Sequence, residues 1–237
     1  MLDVNGLAFR LKLLEMREPW RGVLQCIHDV AYENFRDMDL RVVLHCLRDM
    51  RHAPPRGGDT IFDCLHEWRA TAVSKHFAIH NLLMLLGLKP SLWMAPYEVV
   101  DNLPIDCHQL LKAANKHRVK DVHVFVTCDF GAGERIVDLT YPARLRDRQF
   151  IVTDCWHPDQ DCCSPKLAGE AQAIEPNARG LLRVGMLCKQ INPGLSAHYS
   201  GLIREHILAK TCEEDDDETR TRHIQRHYLR QLAKHTR

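Results

Sequence analysis

The stretch Thr71–Pro90, TAVSKHFAIHNLLMLLGLKP, decides how the rest of the chain is read. Val73, Phe77, Ala78, Leu82, Leu85 and Leu86 recur at three- and four-residue intervals, forming one broad apolar stripe of a helix. Ile79, Leu83 and Met84 widen that stripe until little polar face is left, which describes a helix buried on most sides. Thr71 and Ser74 are candidate caps at its start. Gly87 stands where a left-handed residue closes a last turn, and Pro90 follows as a stop.

Downstream, LKPSLWMAPYEVV (88–100) reads as an extended segment, and DVHVFVTCDFGAGERIVDLTYP (121–142) reads as two strands joined by a turn containing Gly131 and Gly133. Upstream, Leu7–Met16 suits a short amphipathic helix, Trp20–Phe35 a second, and a third starts from Asp37 or Asp39 capping LRVVLHCLRDMR. HAPPRGG (52–58) is a loop, and IFDCLHEWRA a short helix leading into the central one.

The order of these elements and their residues resembles the transglutaminase-like (papain-like) superfamily of cysteine acyl-transfer enzymes. Its nucleophile stands at the N-terminus of a buried helix in a stretch resembling T-C-S-S-K-H, matched here by Thr71, Ala72, Val73, Ser74, Lys75 and His76. The family histidine begins a strand in an H-V-[YF]-[VL] setting, matched by His123 in HVFV, and the aspartate sits on the next strand in VDLT as Asp138. FIVTDCWHPDQDCCSPKLAG (150–169) is similar to the family's strand, Trp-containing turn and polar loop. The resemblance implies an α+β, papain-like fold in which N-terminal helices and the buried central helix pack on an antiparallel sheet. It implies one domain over 1–210, with its best-matching core at 50–165.

At the position of the family's cysteine this chain has Ala72. A methyl group forms no thiolate, so no covalent acyl-enzyme passes through it. Ser74 is turned about 200° around the helix from residue 72 and Thr71 about 100°, while Cys64 precedes the helix. The catalytic positions implied by the resemblance are therefore Ala72, lacking a nucleophile, with His123 and Asp138. Three readings stay open: a binding module that recognises a peptide or amide without cleaving it, a cysteine amidase or acyltransferase whose nucleophile is replaced in this chain, and an enzyme whose nucleophile comes from elsewhere, with Cys64 and Ser74 as candidates.

Composition adds bounds. Lys plus Arg number 32 against 31 acids, which gives no electrostatic footprint for nucleic acid. The segment 102–121 suits a helix on Leu110, Leu111 and Ala114, and it ends in a basic run of Lys112, Lys116, His117, Arg118 and Lys120. That basic run reads as a solvated face, or more sharply as a site for an anion or an acidic partner near His123. LLRVGMLCKQI (181–191) reads as a strand or a short helix. Residues 211–237 form an acidic-then-basic tail, EEDDDE followed by six Arg and Lys residues, a charge order that suits a helix macrodipole. Ile224, Tyr228 and Leu232 give the tail one apolar edge for docking on its own domain or on a second copy of the chain.

The start of the chain lacks a secretory pattern, and no apolar run reaches the length of a membrane span, so the expectation is a cytoplasmic protein with free thiols among its ten cysteines. Expected partners are a peptide, protein or small amide, with no nucleic acid and no membrane. No cofactor and no metal are expected. His76 with His80, and Cys155, His157, Cys162 and Cys163, approach ligand spacing without completing a recognised site.

Overall fold

The structure, a computed structural model, describes residues 40–191 except 55, 57–59, 103–111, 113–114, 116–117, 149 and 155, together with 20, 21 and 24. The expected helices over 7–16 and around Leu110, most of the helix over 20–35 and the tail from 211 lie outside the described residues. In chain order the elements are α1 (Leu40–Arg48), β1 (Arg51–His52), α2 (Ile61–Glu67), β2 (Arg69–Ala70) and α3 (Ala72–Leu85). These are followed by β3 (Ser91–Glu98), α4 (Val99–Asn102), β4 (Lys120–Asp129), β5 (Glu134–Val137), a 3-10 turn (Ala143–Arg148), β6 (Gln172–Ile174) and α5 (Ala178–Ile191). The class is mixed α+β.

The central helix forms as its ends dictate. Thr71, extended at φ −71°, accepts the Ser74 N–H on its hydroxyl at 3.2 Å, while the Ser74 hydroxyl accepts the Thr71 N–H at 2.9 Å, a reciprocal cap. At the other end Gly87 takes φ 79°, and the Leu88 N–H reaches back to the Leu83 carbonyl at 3.0 Å. Residues 74–80, Leu82 and Leu83 are buried, among them Ser74, Lys75, His76 and His80 as well as the apolar ones. Burial narrows in the last turn: Met84 and Leu85, which the sequence pattern places on the stripe, are exposed, leaving Leu82, Leu83 and Leu86 to pack. Trp20 is fully buried and donates its indole N–H to the Asn81 side chain at 2.9 Å, which ties a residue far upstream to α3.

The sheet has four strands in the order β5-β4-β3-β6, and every neighbouring pair is antiparallel. β3 pairs with β4 from Ser91 opposite Thr127 to Glu98 opposite Lys120, and α3 packs against both strands. Along β4, Val122, Val124, Val126 and Cys128 join the main core, so His123, Phe125 and Thr127 take the other face by strand alternation. A smaller apolar cluster gathers Tyr97, Val99, Val119, Tyr141, Leu145, Phe150 and Val152.

The structure corrects several sequence expectations. The extended segment from Leu88 stops at Glu98, because Val99–Asn102 turn into a short helix held by the Asn102 amide on the Glu98 carbonyl at 2.7 Å. The loop assigned at 52–58 begins inside a two-residue strand, since Arg51 and His52 pair in parallel with Arg69 and Ala70. His123 is the fourth residue of its strand rather than the first, and Asp138 lies one residue past the end of β5. No strand forms at 150–154, while β6 at 172–174 went unread. The segment 181–191 resolves as helix, within α5.

Candidate functional site

Strand pairing brings His123 and Asp138 together. Val126 stands opposite Val137, so continuing the antiparallel register by one residue puts Asp138 opposite Phe125, on the same face as His123 two residues away. The side chains meet there: His123 Nε2 lies 2.6 Å from Asp138 Oδ2, with His123 3% and Asp138 3% exposed. A carboxylate only accepts, so Nε2 carries the proton and donates. Nδ1 of His123 has no hydrogen-bond partner among the described residues. The ring is held flat against Phe125 and edge-on to Tyr97 and His76, at centroid separations of 5.7, 6.0 and 6.2 Å.

Asp138 is saturated with donors. Besides His123, its Oδ2 receives the Ser164 hydroxyl at 2.7 Å, and its Oδ1 receives the Thr140 N–H at 3.2 Å and the Thr140 hydroxyl at 2.6 Å. Burial opposes ionisation of this carboxyl, but the charge interaction and hydrogen bond with His123 outweigh it and hold the group well below the usual carboxylate range. Asp138 is thus an ionised acceptor that fixes the His123 tautomer and ring direction.

Ala72 is the first residue of α3. Its link to the pair runs through His76, one turn along the same helix face: His76 Nδ1 is 2.7 Å from the Ala72 carbonyl, and Nε2 is 3.4 Å from Asp138 Oδ1. Lys75, next to it and fully buried, donates Nζ to the Arg48 carbonyl at 2.7 Å and the Thr140 carbonyl at 3.0 Å. Burial, offset in part by Asp49, pulls the Lys75 amine down to about 7.

The candidate replacement nucleophiles are otherwise engaged. The Ser74 hydroxyl is part of the helix cap, 1% exposed and within 2.9 Å of the Thr71 hydroxyl. Cys64 is fully buried inside α2. Among the described residues no group of three or more His, Cys, Asp or Glu side chains is placed to hold a metal ion, and His76 spends both ring nitrogens on backbone groups. Cys155 lies outside the described residues, as do Lys116 and His117 of the basic run. Arg118 of that run is paired, with Nη2 at 2.7 Å from Glu98. The residues that sequence reasoning missed are Thr140 and Ser164, which donate to Asp138, and Lys75; in the sequence His76 reads as part of the helix motif and of an incomplete metal-ligand pair with His80, not as a neighbour of Asp138. The signal for Lys75 and His76 is a lysine and a histidine within a largely apolar helix.

No family model, no curated protein and no solved structure matches this chain. Among the described residues, no helix is long and apolar enough to cross a membrane.

Proposed function

We propose that the chain is a transglutaminase-like domain of papain-like fold whose nucleophile position is Ala72, acting as a module that binds a peptide or amide without forming an acyl-enzyme. The observation that supports this reading is the buried 2.6 Å bond from His123 Nε2 to Asp138, with no partner at Nδ1 of the same ring among the described residues. In an acyl-transfer site the carboxylate orients the imidazole, and the imidazole's other nitrogen exchanges a proton with the nucleophile. Ala72, at the N-terminus of α3, stands where helix-dipole stabilisation of a thiolate would operate. An alanine there leaves recognition and removes covalent chemistry.

The same pair suits a second reading, a cysteine amidase or acyltransferase whose nucleophile is replaced at residue 72. Relocation of the nucleophile is disfavoured by the cap that holds the Ser74 hydroxyl and by the complete burial of Cys64.

The test pairs the unmodified chain with Ala72→Cys. Each is treated with a peptide carrying a thiol-reactive amide mimic, and adducts are mapped by mass spectrometry. The expected result is labelling at residue 72 in the variant alone, removed by His123→Ala and blocked by an excess of the parent peptide. Absence of His123-dependent labelling at residue 72 sinks both readings. Turnover of simple amides by Ala72→Cys separates them in favour of the replaced enzyme.

A further inference from the structure

His76 is fully buried, and its two ring nitrogens meet two backbone groups of opposite character. The Ala72 carbonyl, 2.7 Å from Nδ1, only accepts, so Nδ1 carries the proton. The Leu139 N–H, 3.2 Å from Nε2, only donates, so Nε2 presents its lone pair. These two neighbours define a neutral imidazole with the proton on Nδ1. They also forbid reading the 3.4 Å approach of Nε2 to Asp138 as an ion pair, because the proton such a pair needs would displace the Leu139 N–H. The carboxylate tolerates a lone pair there because the Thr140 N–H and hydroxyl already serve the same oxygen.

From this geometry we infer that His76 is a positioning residue: its neutral ring spans the gap between the first residue of α3 and the residue after Asp138, setting position 72 in register with the His123–Asp138 pair. The inference rests on the acyl-transfer reading of that pair. The ring touches no reacting atom and has no nitrogen left for proton transfer, so its effect is carried by the placement of residue 72. Helix α3 and the segment after β5 are sequentially remote, and the bond is well placed to link them: Ala72 is the helix's first residue and Leu139 directly follows Asp138. Neither a longer flexible side chain nor an apolar one would fix that separation while satisfying both backbone groups.

The experiment compares Ala72→Cys with Ala72→Cys/His76→Phe, which keeps an aromatic ring and removes both hydrogen bonds. Iodoacetamide alkylation of the thiol introduced at residue 72 is followed against pH by peptide mapping. Ala72→Cys is expected to alkylate well below pH 7, with His123 as counter-ion. His76→Phe is expected to move the profile up toward an ordinary thiol near 8.5 and to slow alkylation at pH 6 by about tenfold or more.

An unchanged profile in the His76→Phe variant overturns the positioning role while leaving the acyl-transfer reading intact. An ordinary thiol already in Ala72→Cys overturns both, and the two failures are thereby distinguished. Imidazole nitrogen-15 spectra of the unmodified chain supply a readout independent of the variant's folding. The neutral tautomer with the proton on Nδ1 is expected at pH 7, together with a slowly exchanging Leu139 amide. A proton on Nε2, whether in the other tautomer or in an imidazolium, overturns the inference.

Discussion

The Lys75 ammonium nitrogen lies 3.0 Å from the carbonyl of Thr140, two residues beyond Asp138, and 2.7 Å from the carbonyl of Arg48, the last residue of α1. One buried side chain of α3 therefore holds together the end of α1 and the segment that carries the carboxylate. A neutral amine has two protons to donate, and two carbonyls receive them, so the site matches the uncharged form; the ammonium would carry a third proton beyond these two acceptors. Arg48 continues the same network, donating to the Thr153 and Asp154 carbonyls at 2.8 and 2.6 Å. Between them the two side chains engage four backbone carbonyls, of Arg48, Thr140, Thr153 and Asp154.

Lys75→Met, similar in length and apolar, takes a donor from each carbonyl and is expected to cost about 1–3 kcal/mol at pH 7. The pH dependence separates this from a packing defect. With the folded amine at about 7 and the unfolded one near 10.5, the unfolded chain holds more protons between those values, so stability rises with pH across that window. Urea unfolding at pH 7 and pH 9.5 should show a gain of about 3 kcal/mol in the parent that the variant lacks. Equal pH slopes in the two proteins count against a buried titrating amine.

His52 titrates in the opposite half of the pH scale. Its ring lies against Tyr141, with centroids 5.3 Å apart, and burial first, then the Lys75 charge, pushes it down to about 3. Between pH 6.5 and 3 the unfolded chain takes up a proton that the folded chain refuses, so stability falls on acidification. His52→Phe keeps the ring contact and removes the titration. Denaturation midpoints of parent and variant, compared at pH 6.5 and pH 4, should show a decline shallower by about 3 kcal/mol in the variant.

Local chemistry made part of this molecule legible. The cap at Thr71 and Ser74, the left-handed Gly87, the turn glycines Gly131 and Gly133 at φ 97° and 103°, and the β4–β5 hairpin all follow from residue types acting on their own backbone. The meeting of His123 with Asp138 was legible too, since a hairpin of fixed register brings the two positions to one face. What the sequence hid depends on contacts between remote segments. Ser164 reaches Asp138 from a loop 26 residues on, and β1 and β2 are two residues each, too short to carry a periodic pattern. His76 shows the same limit: only the position of Leu139 reveals which of its nitrogens is protonated.

Gly87→Ala tests the end of the central helix. At φ 79° a Cβ is strained against the backbone, and the variant should lose about 1 kcal/mol, read as a lower thermal midpoint. The alkylation profile of an Ala72→Cys background should not move, because Gly87 lies at the far end of α3 from residue 72. A change in that profile would mean that the two ends of the helix are coupled.

Asp138→Asn and Ser164→Ala separate orientation from mere satisfaction of a buried group. Each carboxylate oxygen of Asp138 receives two donors, so an amide NH2 turned either way opposes donors on that side. Toward Thr140, a backbone N–H cannot reverse its role, whereas toward His123 the imidazole can move its proton to Nδ1. Asp138→Asn is therefore expected to flip the neutral His123 tautomer and to destabilise the fold by about 3–5 kcal/mol. Ser164→Ala removes one donor and leaves three, at a cost of about 1 kcal/mol. In an Ala72→Cys background the first change should slow low-pH alkylation about 100-fold or more and the second only a few-fold, because a misplaced proton disables a base that a lost neighbour merely loosens. The acid limb gives a separate check. A carboxyl held well below its unfolded value near 3.9 contributes stability that is complete above that value and is lost as pH falls toward the folded one, so the parent's advantage over Asp138→Asn should shrink below about pH 4. An advantage that persists undiminished to pH 2 would mean that Asp138 is not the ionised centre of the site.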